Sequence, residues 1–184
     1  MQIALFGGSF DPPHPGHLLV ADTLLARKLV DDVWFLPCAD HPFHKQLSPV
    51  SQRLAMLQLL SDHTICTYEA QKATASYSIE TLEFFQALFP ADTFSWVVGA
   101  DQLATFTKWH RYQDILTKFH VHVYPRDGFP TEPLLVNMSL LSDVAVSPAS
   151  STQIRQLLAQ GQAIDGLSSP AIISYIKSHQ LYTP

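Results

Sequence analysis

Two histidines, His14 and His17, lie three residues apart in the glycine- and proline-rich stretch GGSFDPPHPGH, which spans residues 7–17. A spacing of three places both imidazoles on one side of the first turn of a helix. The glycines that open the stretch favour a tight turn whose backbone amides can approach a ligand closely. Because the positive end of the following helix points the same way, the stretch predicts a site for phosphate oxygens.

Two other interpretations of the histidines stay open at this point. The pair could cap the helix and serve the fold alone, or it could bind a metal ion together with Asp11, His41 or His44. The sequence offers no helical H-x-x-x-H pair and no cysteine close to these residues. We therefore expect phosphate binding and no metal site built by the protein.

Apolar segments alternate with amphipathic ones along the rest of the chain. The pattern predicts strands over residues 2–6, 32–36, 64–68, 94–98, 121–124 and 144–146. It predicts helices over residues 18–29, 51–60, 78–88, 101–106 and 112–119, and two more that follow the capping serines Ser150 and Ser169. Strands that are apolar almost throughout and alternate with helices indicate an α/β protein with a mostly parallel sheet covered on both faces.

The residues that could do chemistry follow the predicted strands. The stretch 7–17 follows the first strand, residues 41–45 the second, residues 99–101 the fourth and residues 150–155 the sixth. In α/β sheets, ligands bind at the carboxyl ends of the strands, near a switch in strand order. We therefore expect these four segments to meet around one ligand.

Composition narrows the class of protein. The 184 residues are 47% hydrophobic and 15% charged, which fits one domain with a substantial core over residues 1–184. A formal net charge of −5 argues against a general nucleic-acid partner. No apolar run has the length of a membrane span. Residues 1–6 have no basic region and only a short apolar stretch, so we expect no secretory signal. Two cysteines without C-x-x-C spacing fit a cytoplasmic location. The oligomeric state is left open.

Five ordered motifs resemble those of a known family. Residues 7–17 resemble the G-G-[ST]-F-D-P-x-H-x-G-H signature of nucleotidyltransferases, and residues 150–155 (SSTQIR) resemble their S-S-T-x-I-R motif. Residues 44–45 (HK), 75–82 (ASYSIETL) and 99–109 (GADQLATFTKW) are similar to motifs of bacterial nicotinate mononucleotide adenylyltransferases, as is the segment 175–182 (YIKSHQLY). The resemblance spans nearly the whole chain and implies a Rossmann-like three-layer sandwich.

The resemblance implies a reaction and a set of residues for it. The enzyme would transfer the adenylyl group of ATP to nicotinate mononucleotide, giving nicotinate adenine dinucleotide and pyrophosphate. The catalytic residues implied are His14, His17, Lys45 and Arg155. The implied ATP-binding residues are Gly8, Ser9, Phe10, His14, His17, Gly99, Asp101, Ser150, Ser151, Thr152 and Arg155. The implied acceptor-binding residues are Gly8, Ser9, Lys45, Ser78, Trp109, Tyr112 and Arg126. Mg²⁺ would arrive with ATP, since no carboxylate cluster marks a site for it.

Some positions depart from the family pattern. Ser78 stands where threonine is usual and keeps the hydroxyl, while Gln113 and Asp114 stand where two glutamates are frequent.

Two alternative functions stay open. One is a sister enzyme that uses nicotinamide mononucleotide, phosphopantetheine or flavin mononucleotide as acceptor. The other is a nucleotide- or metal-binding protein without catalysis, against which the joint presence of His14, His17, Lys45 and Arg155 speaks.

Overall fold

The protein, described here from a computed structural model, is built on a five-stranded sheet. The structure describes residues 1–39, 47–142, 144 and 147–183. The strands are β1 (Gln2–Gly8), β2 (Asp32–Pro37), β3 (Thr93–Gly99), β4 (His120–Tyr124) and β5 (Met138–Leu140). Their order across the sheet is β2-β1-β3-β4-β5, and each neighbouring pair is parallel. This confirms the predicted α/β, Rossmann-like fold class.

Helices connect the strands and cover both faces of the sheet. They are α1 (Pro15–Ala26), α2 (Val50–Leu60), α3 (Ser78–Leu88), α4 (Leu103–Phe106), α5 (Tyr112–Lys118), α6 (Ser151–Ala159) and α7 (Pro170–Ser178), with a 3-10 turn over Ala100–Gln102. No helix in the described parts of the chain is long and apolar enough to span a membrane.

The strands are buried because alternate side chains enter different hydrophobic clusters. In β1, Ile3 and Leu5 pack with α3 and α5, whereas Ala4 and Phe6 pack with α1 on the opposite face. A third cluster joins α2, α6 and α7 beside the sheet, with Ile154 at its centre. The sheet is thus the middle of three layers.

The sheet order creates a crevice. From β1 the chain moves outward to β2, then returns past β1 to add β3 on its other side. Connections leave the neighbouring strands β1 and β3 in opposite directions, so the carboxyl ends of these two strands border an open space. The predicted stretches 7–17 and 99–101 begin at this point.

Two predicted elements differ from the structure, and a third lies largely outside the described residues. The strand predicted over residues 64–68 is wrong: only Ile65 pairs, with Phe35 of β2, because the chain enters a turn at residues 68–71. The sheet instead gains β5, which the sequence did not predict. Residues 145 and 146 of the strand predicted over 144–146 lie outside the described residues. The helix predicted over residues 18–29 spans Pro15–Ala26; its start at Pro15, where His14 caps it, agrees with the helix turn expected at the histidine pair.

Candidate active site

A cavity of about 740 Å³ lies at the carboxyl ends of β1 and β3. Its lining includes thirteen of the predicted site residues: Gly8, Ser9, Phe10, His17, Ser78, Gly99, Asp101, Trp109, Arg126, Ser150, Ser151, Thr152 and Arg155. His14 lines an adjoining cavity of about 230 Å³, together with His17, Arg126 and Ser150. Lys45, like His41 and His44, lies outside the described residues. Three of the four segments that we expected to meet, residues 7–17, 99–101 and 150–155, therefore line one cavity.

The histidine pair caps α1 reciprocally. The Gly16 amide donates to Nδ1 of His14 at 3.2 Å, and the His14 amide donates to Nδ1 of His17 at 3.1 Å. Because each Nδ1 accepts a hydrogen bond, the proton of each neutral ring resides on Nε2. The capping interpretation of the pair is thus correct for Nδ1, and Nε2 remains for another partner.

Burial keeps both rings uncharged. His14 is 3% exposed and His17 is 7% exposed. Burial, with a contribution from the nearby Arg126 charge, lowers the pKa of His14 to about 3. Burial also lowers the pKa of His17 well below its usual value, and His14 and Arg126 add to this. Nε2 of His14 has no hydrogen-bond partner among the described residues. The pair therefore offers neutral N–H donors to a ligand.

The turn before α1 is held by its side chains. A Cβ at Gly7 would approach the Trp96 ring to 2.5 Å, so this position requires glycine. Phe10 adopts a left-handed backbone with φ 49°, and its ring packs edge-on against Phe35 and His17. Phe10 is only 2% exposed, so its ring shapes the turn from inside the core.

A carboxylate that follows β3 and a guanidinium that follows β4 face each other. Arg126 Nε lies 3.3 Å from Asp101 Oδ1, and Gln102 donates to the other oxygen of Asp101 at 2.7 Å. The Arg126–Asp101 contact lacks hydrogen-bond geometry, so Oδ1 of Asp101 retains its capacity to accept. A Cβ at Gly99 would collide with this carboxylate. Arg126 was predicted on the acceptor side, and it lies at the border of the two cavities.

The start of α6 docks on the turn before α1. Ser150 caps α6 by accepting from the Gln153 amide at 3.2 Å, as its spacing predicts. Ser151 Oγ donates to the Pro12 carbonyl at 2.8 Å, and Arg155 donates to the Asp11 carbonyl at 2.5 Å. Two helix N-termini, each with a partial positive charge, thus lie side by side at the cavity.

The opposite end of the cavity is aromatic. Trp109, between α4 and α5, stacks on Phe106 with ring centroids 4.8 Å apart, and its Nε1 has no partner in the described chain. Ser78 opens α3 at the same wall. The Tyr112 amide donates to the Trp109 carbonyl at 3.2 Å, so this amide is already engaged. Tyr112 packs against the core and is not among the residues that line the cavity.

Sequence reasoning missed two buried charged residues beside the cavity. Arg53 of α2 is fully buried and donates to the carbonyls of residues 9, 38, 39 and 48, which fixes the segments that follow β1 and β2. Its spacing of three and four from the buried Met56 and Leu57 is a signal that could have revealed it. Glu69 lines the cavity and accepts from Thr81 at 2.7 Å; burial raises its pKa.

Comparison with known proteins gives consistent results. The family model described as cytidylyltransferase-like matches residues 5–157. A protein of Anaeromyxobacter dehalogenans (strain 2CP-C), named "probable nicotinate-nucleotide adenylyltransferase", is 37% identical over 98% of this chain and 96% of its own length. A protein of the same name from Salinibacter ruber is 34% identical over 100% of this chain and 99% of its own.

Solved structures share the fold. The nicotinic acid mononucleotide adenylyltransferase of Plasmodium falciparum, complexed with NaAD, superposes with a TM-score of 0.84 at 20% identity, over 98% of this chain and 97% of that one. The same enzyme complexed with APC gives a TM-score of 0.81 at 19% identity, over 98% and 96%. These TM-scores show a shared fold across nearly the full length.

Proposed function

The chain belongs to the cytidylyltransferase-like family and, within it, to the nicotinate-nucleotide adenylyltransferases, and we propose on this premise that it joins ATP and nicotinate mononucleotide. It is a nucleotidyltransferase that releases nicotinate adenine dinucleotide, a precursor of NAD, and pyrophosphate. The observation that carries the proposal is full-length similarity to relatives of that name. The geometry of the cavity supports it at each step below.

The chemical step is a displacement at the α-phosphorus of ATP. An oxygen of the acceptor's 5′-phosphate forms a new P–O bond to that phosphorus. The bond to the β-phosphate breaks, and pyrophosphate leaves with the electron pair. No covalent bond to the protein is needed, so the protein contributes by positioning the phosphates and stabilising their charge.

The histidine pair would act as two neutral hydrogen-bond donors in this step. Nε2–H groups of His14 and His17 donate to phosphate oxygens where negative charge develops in the transition state. A buried neutral donor has a smaller desolvation penalty than a buried cation, which fits the depth of these rings. We propose that Lys45 neutralises charge where the two phosphates meet. This residue lies outside the described residues, so the proposal for it rests on the sequence alone.

The triphosphate would extend from the histidines towards α6. The amides at the start of α6, the hydroxyl of Thr152 and the Arg155 guanidinium can bind the outer phosphates and the departing pyrophosphate. One Nη of Arg155 donates to the Asp11 carbonyl, and this bond holds the guanidinium at the cavity. Asp101 would accept a hydrogen bond from the adenosine ribose through its unengaged Oδ1.

The acceptor would occupy the aromatic end. The half-buried Trp109 offers a flat face for the pyridine ring, and the Ser78 hydroxyl and amide are available to its carboxylate. The Tyr112 amide already donates to the Trp109 carbonyl, so we expect a neighbouring backbone amide to bind the carboxylate of the acceptor. His110, which also lines the cavity, borders this end together with Tyr77.

Mg²⁺ would reach the site bound to the ATP phosphates. The described carboxylates that line the cavity are Asp11, Glu69 and Asp101, and each faces a donor of the protein: a tyrosine, a threonine and a glutamine, respectively. These residues fit a metal carried by the nucleotide better than a metal held by side chains. When bound, the ion would neutralise charge on the β- and γ-phosphates.

Labelled ATP tests the reaction. With ATP labelled at the α-phosphorus and nicotinate mononucleotide, we expect all transferred label in nicotinate adenine dinucleotide and equimolar unlabelled pyrophosphate. Denatured protein from the same reaction should carry no label. Label in ADP or in the protein would contradict the proposed displacement, and the absence of labelled dinucleotide would contradict the function itself.

A further inference from the structure

The end of the described chain reaches the turn that precedes α1. The Tyr182 hydroxyl donates to Oδ1 of Asp11 at 2.5 Å across 171 residues of sequence. The Asp11 side chain is buried, at 2% exposure, although it is a carboxylate in a loop. A buried carboxylate is stable only when its oxygens accept strong hydrogen bonds. Tyr182 therefore supplies a bond that the buried Asp11 side chain requires.

Three segments meet at Asp11. Its Oδ1 accepts from Tyr182, its Oδ2 accepts from the Ser48 amide at 3.1 Å, and its carbonyl accepts from Arg155 at 2.5 Å. Ser48 follows the segment that contains Lys45, and Arg155 belongs to α6. Asp11 itself lies three residues before His14. Asp11 thus joins three distant segments just before the histidine pair: its carboxylate accepts from Ser48 and Tyr182, and its carbonyl accepts from Arg155.

The conformation of Tyr182 is adapted to this contact. Its φ is 62°, a left-handed value that is unfavourable for a residue with a large side chain. The neighbouring Leu181 is anchored in the cluster formed by α2, α6 and α7. Burial and the bond to Asp11 raise the pKa of the Tyr182 hydroxyl, so it remains a proton donor throughout the neutral range. Tyr182 thus combines an unfavourable backbone conformation with a hydrogen bond from its hydroxyl to Asp11.

We propose that Tyr182 is a positioning residue for adenylyl transfer. Acting through Asp11, it fixes the separation between the histidine pair at α1 and Arg155 on α6. The C-terminal segment is then part of the catalytic apparatus, although it contributes no group to the reacting phosphates. This inference rests on the proposed function.

The substitution Tyr182→Phe tests the proposal, because it removes only the hydroxyl. We expect kcat to fall by about tenfold or more, since small misplacements of phosphate-binding groups are costly in rate. The KM for nicotinate mononucleotide should change by less than about twofold, because Tyr182 is not among the residues that line the cavity. The matched control is Tyr175→Phe in α7, whose ring stacks on His179; it should keep the wild-type kcat.

A double-mutant cycle establishes whether Tyr182 acts through Asp11. In an Asp11→Ala background, Tyr182→Phe should cause no further loss of kcat. Where Asp11→Ala does not fold, Asp11→Leu, which also lacks an acceptor oxygen, takes its place. A wild-type kcat in Tyr182→Phe would overturn the inference, and so would an equal loss in both backgrounds or a loss explained by unfolded protein alone. An inactive wild-type enzyme would instead overturn the proposed function, and with it this inference.

Discussion

Neutral imidazoles are the central chemical feature at the scale of residues. Protonated rings at the depth of His14 and His17 would carry a large desolvation penalty, which is why the pKa of His14 lies at about 3. A neutral Nε2–H still donates, and the low local dielectric strengthens that bond. The Nδ1 bonds within the capping pair fix the direction in which Nε2 points. The fold thus sets both the charge and the aim of the donors.

Removal of one donor should impair turnover more than folding. For His17→Ala we expect kcat to fall by about 10²–10³-fold, the usual effect of losing one preorganised donor to a developing charge. The circular dichroism spectrum should remain that of the wild type. His63→Ala is the matched control, because His63 pairs with Asp22 away from the cavity. Near-normal kcat in His17→Ala would remove this residue from the mechanism.

Trp109 should affect the acceptor selectively. Loss of its ring in Trp109→Ala should raise the KM for nicotinate mononucleotide by about tenfold, the value of a stacking interaction of this kind, and should leave the KM for ATP nearly unchanged. Trp109→Phe retains an aromatic face and should recover part of the loss. Steady-state kinetics with each substrate varied in turn measures both values. Equal changes in the two KM values would contradict stacking on the acceptor and would indicate that Trp109 serves only to pack against the core.

At the scale of elements, Arg53 connects α2 to the segments that follow β1 and β2. Its guanidinium makes bonds to four backbone carbonyls and is fully buried. These bonds hold the carboxyl ends of the two strands at the cavity. Lysine could not replace them, because a single ammonium cannot match the fork of a guanidinium.

Substitution of Arg53 should therefore destabilise the protein. Arg53→Met leaves several buried carbonyls unpaired, and we expect the free energy of unfolding to fall by about 3 kcal/mol or more. Arg53→Lys should recover only part of it. Arg27→Met, at the exposed end of α1, is the matched control and should change stability by less than about 0.5 kcal/mol. Urea unfolding measures all three, and equal stabilities of Arg53→Met and wild type would contradict this account.

Element prediction succeeded where the signal was local. Ser150 and Ser169 cap α6 and α7 as their spacing predicts, because a cap involves residues three apart. β5 was not predicted, since three residues are too few to show a clear alternation and only their pairing with β4 identifies them as a strand. The predicted strand at residues 64–68 has a suitable composition, but only Ile65 finds a partner.

At the scale of the whole molecule, the site depends on contacts that no local pattern contains. The motifs at residues 7–17 and 150–155 were found in the sequence because their residue types and spacing are specific. Their docking on each other, through the bonds of Arg155 and Ser151 to residues 11 and 12, spans about three quarters of the chain. Tyr182 was noticed only as part of a family-like segment, because nothing near it in sequence indicates Asp11. The sequence thus predicted most of the groups that line the cavity and missed those that hold them in place.

Buried histidines also determine how stability responds to pH. Burial lowers the pKa of His14 to about 3 and that of His122 to about 4, from about 6.5 in the unfolded chain. Below pH 6.5 the unfolded chain binds protons that the folded protein does not take up, so the free energy of unfolding must fall as pH decreases. The range from about pH 6.5 to 5 isolates the histidines from most carboxyl groups.

Urea unfolding across this pH range tests the prediction. We expect the midpoint to decrease steadily from pH 6.5 to 5, and His122→Asn to show a shallower decrease than the wild type. A midpoint that is independent of pH over this range would contradict the burial of neutral imidazoles.

The acceptor preference of the purified enzyme tests the central claim most directly. Pyrophosphate release would be measured with ATP and, separately, nicotinate mononucleotide, nicotinamide mononucleotide, phosphopantetheine and flavin mononucleotide. The account predicts the highest kcat/KM with nicotinate mononucleotide, together with formation of nicotinate adenine dinucleotide. A higher kcat/KM with any other acceptor, or no acceptor-dependent release at all, would contradict it.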